Sequence, residues 1–135
     1  MNRYTYKAKR KDNNEWVYGY YYKDHTKNID YIINGQLVRS DGDLPIDNFD
    51  YYEIIPETLC QCTGLQDKEG NYIFENDIFK DKEGKKLFVK WDRGQFDLVY
   101  YEDKEECWKD SLRNYMRFYD IKIIGNKYDK EKVNE

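Results

Sequence analysis

Apolar and polar residues alternate along most of the chain with a period of two, the spacing of strands that bury one face. In the opening run, Tyr4, Tyr6 and Ala8 fall on one side and the basic Arg3, Lys7 and Lys9 on the other. Asp12-Asn13-Asn14 reads as a turn, and Trp16 to Tyr22 as a second strand. Its one face carries Trp16, Tyr18, Tyr20 and Tyr22, and its other Val17, Gly19 and Tyr21. Gly19 marks a bulge or a close approach of another backbone. Ile29 to Ile33 and Gln36 to Val38 flank Asn34-Gly35, a strong hairpin signal because both positions tolerate positive φ. Residues 40–48 read as a loop. Tyr51 to Ile55 predicts a strand stopped by Pro56, where a boundary between two sub-domains is expected.

The second half repeats one device. Asp67-Lys68-Glu69-Gly70 returns as Asp81-Lys82-Glu83-Gly84, and each copy precedes a β-rich run. Asp-x-x-Gly suits a type I turn closed by glycine. Asp92-Arg93-Gly94 turns the chain again before Gln95 to Tyr100, so successive hairpin-like steps predict a meander or small barrel. Trp108, Leu112 and Tyr115 have helical spacing, which predicts a short helix near residues 103–116. Ile121 to Gly125 returns to strand, and residues 129–135 read as a frayed tail. The expected architecture is mainly β: an N-terminal sub-domain over 1–56 and a C-terminal one over 57–128.

Composition changes this picture in one respect. Charged residues make up 37% of the 135, a level that alone would suggest disorder, but aromatics reach 18%, with 15 Tyr. A tyrosine-rich chain with few aliphatics predicts a thin aromatic core close to the surface. The net charge of −4 conceals a basic start, where Arg3, Lys7, Lys9, Arg10 and Lys11 precede an acidic remainder. A dedicated duplex-DNA binder carries a basic domain, not a basic arm on an acidic one. The odd set Cys60, Cys62 and Cys107, the absence of an apolar leader in MNRYTYKAKRKD and the lack of any run near ~20 apolar residues predict a soluble cytoplasmic protein with no membrane span.

Three ordered blocks carry a resemblance. The alternating start followed by Glu15-Trp16-Val17-Tyr18-Gly19-Tyr20, the central Thr63-Gly64-Leu65-Gln66-Asp67-Lys68-Glu69-Gly70 with Glu75-Asn76-Asp77-Ile78, and the closing Ile123-Ile124-Gly125-Asn126-Lys127-Tyr128 together resemble the YopX family of bacteriophage and prophage proteins. Asn76 stands where that family usually has glycine, and Cys62 where an aromatic is common. The resemblance implies a mainly β fold, an SH3-like barrel in the second half and a phage-encoded accessory role. It brings no activity with it. The motif residues it marks, read as structural, are Thr63, Gly64, Leu65, Asp67, Gly70, Glu75, Asp77, Gly125 and Asn126.

Each candidate chemistry has a plainer competitor. Glu75 and Asp77 would share a face on a strand and could serve as the acid pair of a hydrolase. Against that, Glu75-Asn76-Asp77 reads as a turn in which Asp77 accepts backbone N–H groups. Thr63-Gly64-Leu65 lacks the spacing of a phosphate loop, so Gly64 is read as a bend and Leu65 as a core anchor. Cys60-x-Cys62 is not the usual zinc knuckle, and the single His25 lies in a loop-like stretch; the thiols are read as small buried hydrophobes. No catalytic residue, metal or cofactor is expected. The binding candidates are Arg3, Lys9, Trp16, Tyr18 and Tyr20. Basic residues interleaved with aromatics could stack single-stranded nucleic acid or RNA through Arg3, Lys9, Trp16 and Tyr20. The acidic whole favours a homo-oligomer, or a host or phage protein partner, over nucleic acid.

Overall fold

The structure, a computed structural model, describes residues 5–35 and 49–129. Arg3, Tyr4, the run Gln36 to Val38, the expected loop 40–48 and the tail from Lys130 lie outside the described residues. The described chain is mainly β, with antiparallel sheets built from eleven strands and one short helix. Residues up to Cys60 form one compact unit and those from Gln61 onward another.

In the first unit β1 (Tyr6–Lys9), β2 (Trp16–Asp24), β3 (Ile29–Gly35) and β4 (Phe49–Glu53) lie in the order β4-β3-β2-β1. Alternation does what it predicts. Ala8 pairs with Val17, and Ile32 lies between Tyr21 and Tyr52, so one face gathers Ala8, Val17, Ile32 and Ile54 into a buried cluster flanked by Tyr6, Tyr52 and Leu59. Burying each large aliphatic contributes about 1.5–3 kcal/mol. The expected turn at Asn34-Gly35 is absent. Asn34 pairs with Asp50 and Gly35 with Phe49, so both belong to β3, and the link to β4 spans residues 36–48. A ladder that continues through a pair tolerant of positive φ holds it extended, and packing outweighs the local preference. Asn34 serves the sheet differently: its side-chain amide donates to the Tyr18 carbonyl at 2.8 Å, just where regular β2–β3 pairing begins at Tyr20 and Ile33.

Gly19 sits at that same place. A Cβ built on it would lie 2.2 Å from the Ile33 carbonyl oxygen. The expected close approach of another backbone is therefore present, and it comes from the neighbouring strand.

β5 (Cys60–Gln66), which lies in the second unit from Gln61 onward, pairs with β6 (Tyr72–Phe74). Their register jumps from Cys62↔Phe74 to Gln66↔Tyr72, so Thr63-Gly64-Leu65 opposes a single residue and bulges outward. Gly64 takes φ 81° at the apex. The Thr63 hydroxyl stitches the bulge, donating to the Ile73 carbonyl at 2.7 Å and accepting the Leu65 N–H at 3.1 Å. Leu65 returns to pack on the core, as its expected role as anchor requires.

The five-stranded sheet runs β10-β9-β8-β7-β11, from β7 (Asp77–Lys80), β8 (Lys86–Asp92), β9 (Gln95–Glu102), β10 (Glu105–Ser111) and β11 (Gly125–Asn126). Its inner face buries Phe79, Leu87, Val89 and Leu98 against Ile73, Leu112, Tyr115 and Ile121. β10 and β11 remain its two edges, so the expected SH3-like closure is not seen among the described residues. The predicted helix shrinks to α1 (Leu112–Met116), capped by Ser111, whose Oγ accepts the Asn114 N–H at 3.1 Å. Residues 105–111 are a strand instead. Asp103 and Lys104, at φ 50° and 68°, form a two-residue turn that commits the following segment to pairing with β9. The echo is one turn built twice: Asp67 Oδ1 accepts the Glu69 and Asn71 N–H groups, and Asp81 Oδ1 those of Glu83 and Lys85, all at 2.9 Å.

The core is not the aromatic one that composition suggests. Among the described tyrosines only Tyr115 is buried, while both clusters are chiefly aliphatic. A phenol hydroxyl must keep a partner or water, and alternation supplies enough Ile, Leu and Val for one face of each small sheet.

Gly19→Ala is expected to destabilise the fold by about 1–3 kcal/mol, because neither backbone can yield to the added methyl. Urea unfolding of the variant against wild type measures it.

Candidate functional site

Because β1, β2, β3 and β4 bury one face, everything on alternate positions is delivered to the other. Lys7 pairs with Tyr18 and Lys9 with Trp16; Tyr22 pairs with Tyr31; Ile33 lies between Tyr20 and Tyr51. These residues therefore share one face. Its tyrosines are open to solvent: Tyr18 is 39% exposed, Tyr20 53%, Tyr22 50% and Tyr51 62%. Tyr22 and Tyr31 stack with ring centroids 6.5 Å apart. Glu53, opposite Tyr31, accepts from Lys11 at 3.0 Å at the edge of the row.

Of the predicted binding residues, Trp16, Tyr18 and Tyr20 lie on this face. Arg3 is outside the described residues. Lys9 is not a solvated cation: it is 4% exposed, its backbone N–H donates to Thr58 Oγ1 at 2.9 Å, and its ammonium lies 5.7 Å over the Trp16 ring. Lys7 lies over the same ring at 4.6 Å. The basic alternation of β1 is thus spent on capping Trp16, a cation–π arrangement. The basic half of the expected nucleic-acid surface is correspondingly reduced. Tyr31, Ile33 and Tyr51 were missed from sequence. Their period-two placement was legible, but only the strand register assigns them to the face of Tyr20. On the core side, Tyr21 donates to Asp30, and that bond with burial pushes its ionisation up to about 12.

The motif residues converge elsewhere, in the second unit. Asp77 is 1% exposed, and both of its oxygens are engaged. Oδ2 accepts the Phe74 N–H at 2.7 Å, and Oδ1 accepts the Asn126 side-chain amide at 2.9 Å. The same amide nitrogen also reaches the Glu75 carbonyl at 3.2 Å. Between the two acids, Asn76 takes φ 70°, donates its N–H to Val89 and accepts that of Lys127. Asparagine is thus adequate where the resembling family has glycine. Asp67 Oδ2 accepts the Ile123 N–H at 3.1 Å. Burial alone would raise the Asp67 carboxyl, but backbone donors from Ile123, Asn71 and Glu69 outweigh it and hold it below its ordinary range. The closing segment, with Gly125 paired to Ile78 and Asn126 to Asp77, is therefore held by two signature carboxylates.

The acid pair of the hydrolase reading is divided by this network. Asp77 spends its lone pairs on the fold. Glu75 accepts the Gln61 N–H at 3.4 Å, and burial pushes its carboxyl up while that bond pulls it down. Cys60 and Cys62 are buried, Cys107 is half-buried, and His25 lies in the turn between β2 and β3. Among the described residues no three His, Cys, Asp or Glu side chains gather as a metal-ligand set, and no helix is long and apolar enough to cross a membrane.

Asp77→Ala removes the carboxylate that accepts from the Asn126 amide and the Phe74 N–H, and about 2 kcal/mol of stability should be lost. Thermal unfolding reads this directly. Glu75 behaves oppositely. A carboxyl raised in the folded state supports folding below its unfolded value, and that support is lost as pH rises through the folded value. Glu75→Gln should accordingly melt higher than wild type at pH 7, with the two curves converging in acid below the ordinary glutamate range of about 4.3.

No curated protein and no solved structure matches the chain. The family model described as YopX protein matches residues 5–133, nearly the whole length, and covers all three blocks of motif residues. The chain belongs to the YopX family.

Proposed function

We propose that this protein acts by binding, not by catalysis, and that its tyrosine face is the surface that meets a protein partner. The carrying observation is the row Tyr18, Tyr20, Tyr22 and Tyr51, exposed on one side of a sheet whose other side is the core. Tyrosine presents a large rigid ring at low entropic cost and keeps a hydroxyl for directional bonds, so it dominates the energetic centres of protein interfaces. The signature acids support the same reading, since Asp67 and Asp77 hold the fold by accepting its hydrogen bonds. The chain's resemblance to a family of phage and prophage proteins supports a host or phage protein, met in the host cytoplasm, as the partner, with self-association as a further mode of the same binding role. Nucleic acid ranks below these because Lys9 is buried against Trp16 rather than facing a strand of phosphates.

The test is affinity capture from host cells carrying the phage or prophage, with wild type and Tyr20→Ser/Tyr51→Ser run side by side. The double variant should lose the captured protein at least tenfold, as expected for interface tyrosines worth about 2 kcal/mol, while its circular dichroism stays unchanged. Equal capture by both would overturn the assignment of the face. Retardation of a labelled oligonucleotide at low salt, relieved steeply by added salt, would move the function to nucleic acid.

A further inference from the structure

A second surface lies in the other unit, at the outer edge of β10. This strand pairs with β9 alone, and among the described residues nothing continues the sheet beyond it. Glu102 and Glu105 close the two-residue turn at Asp103-Lys104, and in such hairpins the closing residues exchange both backbone hydrogen bonds. Bonded pairs alternate with non-bonded ones, so Glu105 and Cys107 turn their backbone groups toward β9. Glu106 and Trp108 turn theirs outward, to the open edge. Trp108 is 62% exposed there, and its row continues inward through Val99 and Phe88 to Ile78.

The edge is complementary to itself when reversed. About a two-fold axis at Cys107, Glu105 of one copy faces Lys109 of the other, twice. Both are exposed. Glu106 then faces Trp108, the two residues whose N–H and C=O groups point outward, which gives four backbone hydrogen bonds between copies. Cys107 faces its own copy as a non-bonded pair, the closest kind, with Cα atoms about 4.5 Å apart. Glu106 lies diagonal to its copy, but Lys90 already neutralises it at 2.6 Å. Moving the axis to Trp108 sets Glu106 against Asp110 and loses the ion pairs. The register shift after Trp108 makes Lys109 a bulged residue and ends regular pairing there, so the shared ladder is short.

We propose that the partner of this edge is a second copy of the chain, joined antiparallel through β10 about an axis at Cys107. The proposal rests on the binding reading above only in taking self-association as part of it, and it uses a different surface. Charged edge residues usually guard a strand against such pairing. Here their order makes one register attractive, so the same charges select the dimer over open-ended stacking.

Light scattering across a concentration series should give a mass rising from 16.6 kDa toward twice that value. Mild air oxidation with a copper catalyst, in which two thiols yield protons and electrons to dioxygen, should trap a covalent dimer that Cys107→Ser abolishes. Lys109→Glu should weaken dimerisation at least tenfold, and Glu105→Lys added to it should restore the dimer. Tyr20→Ser/Tyr51→Ser should leave the cross-link intact. A strict monomer at the highest attainable concentration overturns the proposal. So does a dimer that ignores Lys109→Glu and forms no Cys107 cross-link. Loss of the dimer in the tyrosine variant alone would transfer self-association to the tyrosine face, sparing the binding reading and removing this one.

Discussion

A buried carboxylate is tolerable only where the protein replaces the water it has lost, and Asp77 is where this constraint bears hardest. Its oxygens take the Phe74 N–H and the Asn126 amide, so one side chain joins the turn after β6, the start of β7 and the closing strand β11. Asp67 performs the parallel task one turn earlier, joining the β5–β6 connection to Ile123. These bonds span about fifty positions of sequence and fix the course of a short, otherwise weakly paired segment. The motif residues that carry the resemblance are in large part this pair of staples. Acid residues, left-handed turn positions and Asn126 occur together because each is the other's hydrogen-bond partner or the bend that allows it.

The second organising fact is the separation of aliphatic from aromatic. Each sheet gives its inward positions to Ile, Leu and Val, and many of the phenols face outward. Outward tyrosines are compatible with a stable monomer because the hydroxyl remains hydrated, yet the ring keeps apolar area that a partner can cover. Lys7 and Lys9 fit this division. Their ammonium groups, laid over Trp16, shield the largest ring on the face and use cationic charge inside the protein.

Much of this was legible in sequence, and what was not has particular causes. Period-two alternation placed β1, β2, most of β3 and β4, and the runs that become β6, β8 and β9, and Asp-x-x-Gly located both copies of the turn. Gly64 and Gly19 were read correctly, as bend and as close approach, because a missing side chain has few physical explanations. Asn34-Gly35 misled because a local preference for positive φ says nothing about whether the ladder continues past it. The stretch 103–116 misled because Trp108, Leu112 and Tyr115 have helical spacing, although Trp108 faces solvent while Leu112 and Tyr115 enter the core from a later, capped turn. Lys9 misled because charge was equated with solvation. The partners of Asp77 could not be inferred, since Asn126 lies 49 residues away and only folding brings it near.

The two outer surfaces have different physical characters, and this bears on how one small protein could use both. The tyrosine face offers side-chain area and few backbone groups, which suits recognition of a partner whose shape supplies the rest. The β10 edge offers backbone donors and acceptors whose geometry is the same in every protein, so its selectivity must come from side-chain order. Glu105 and Lys109, placed symmetrically about Cys107, provide such an order at little cost in stability, because exposed ion pairs contribute only a few tenths to about 1 kcal/mol each. An edge selective in this way can be weak and still specific, joining two copies only where concentration or a bound partner has already brought them together. Pairing of that kind would place two tyrosine faces on one assembly and multiply their avidity without any new contact to the partner.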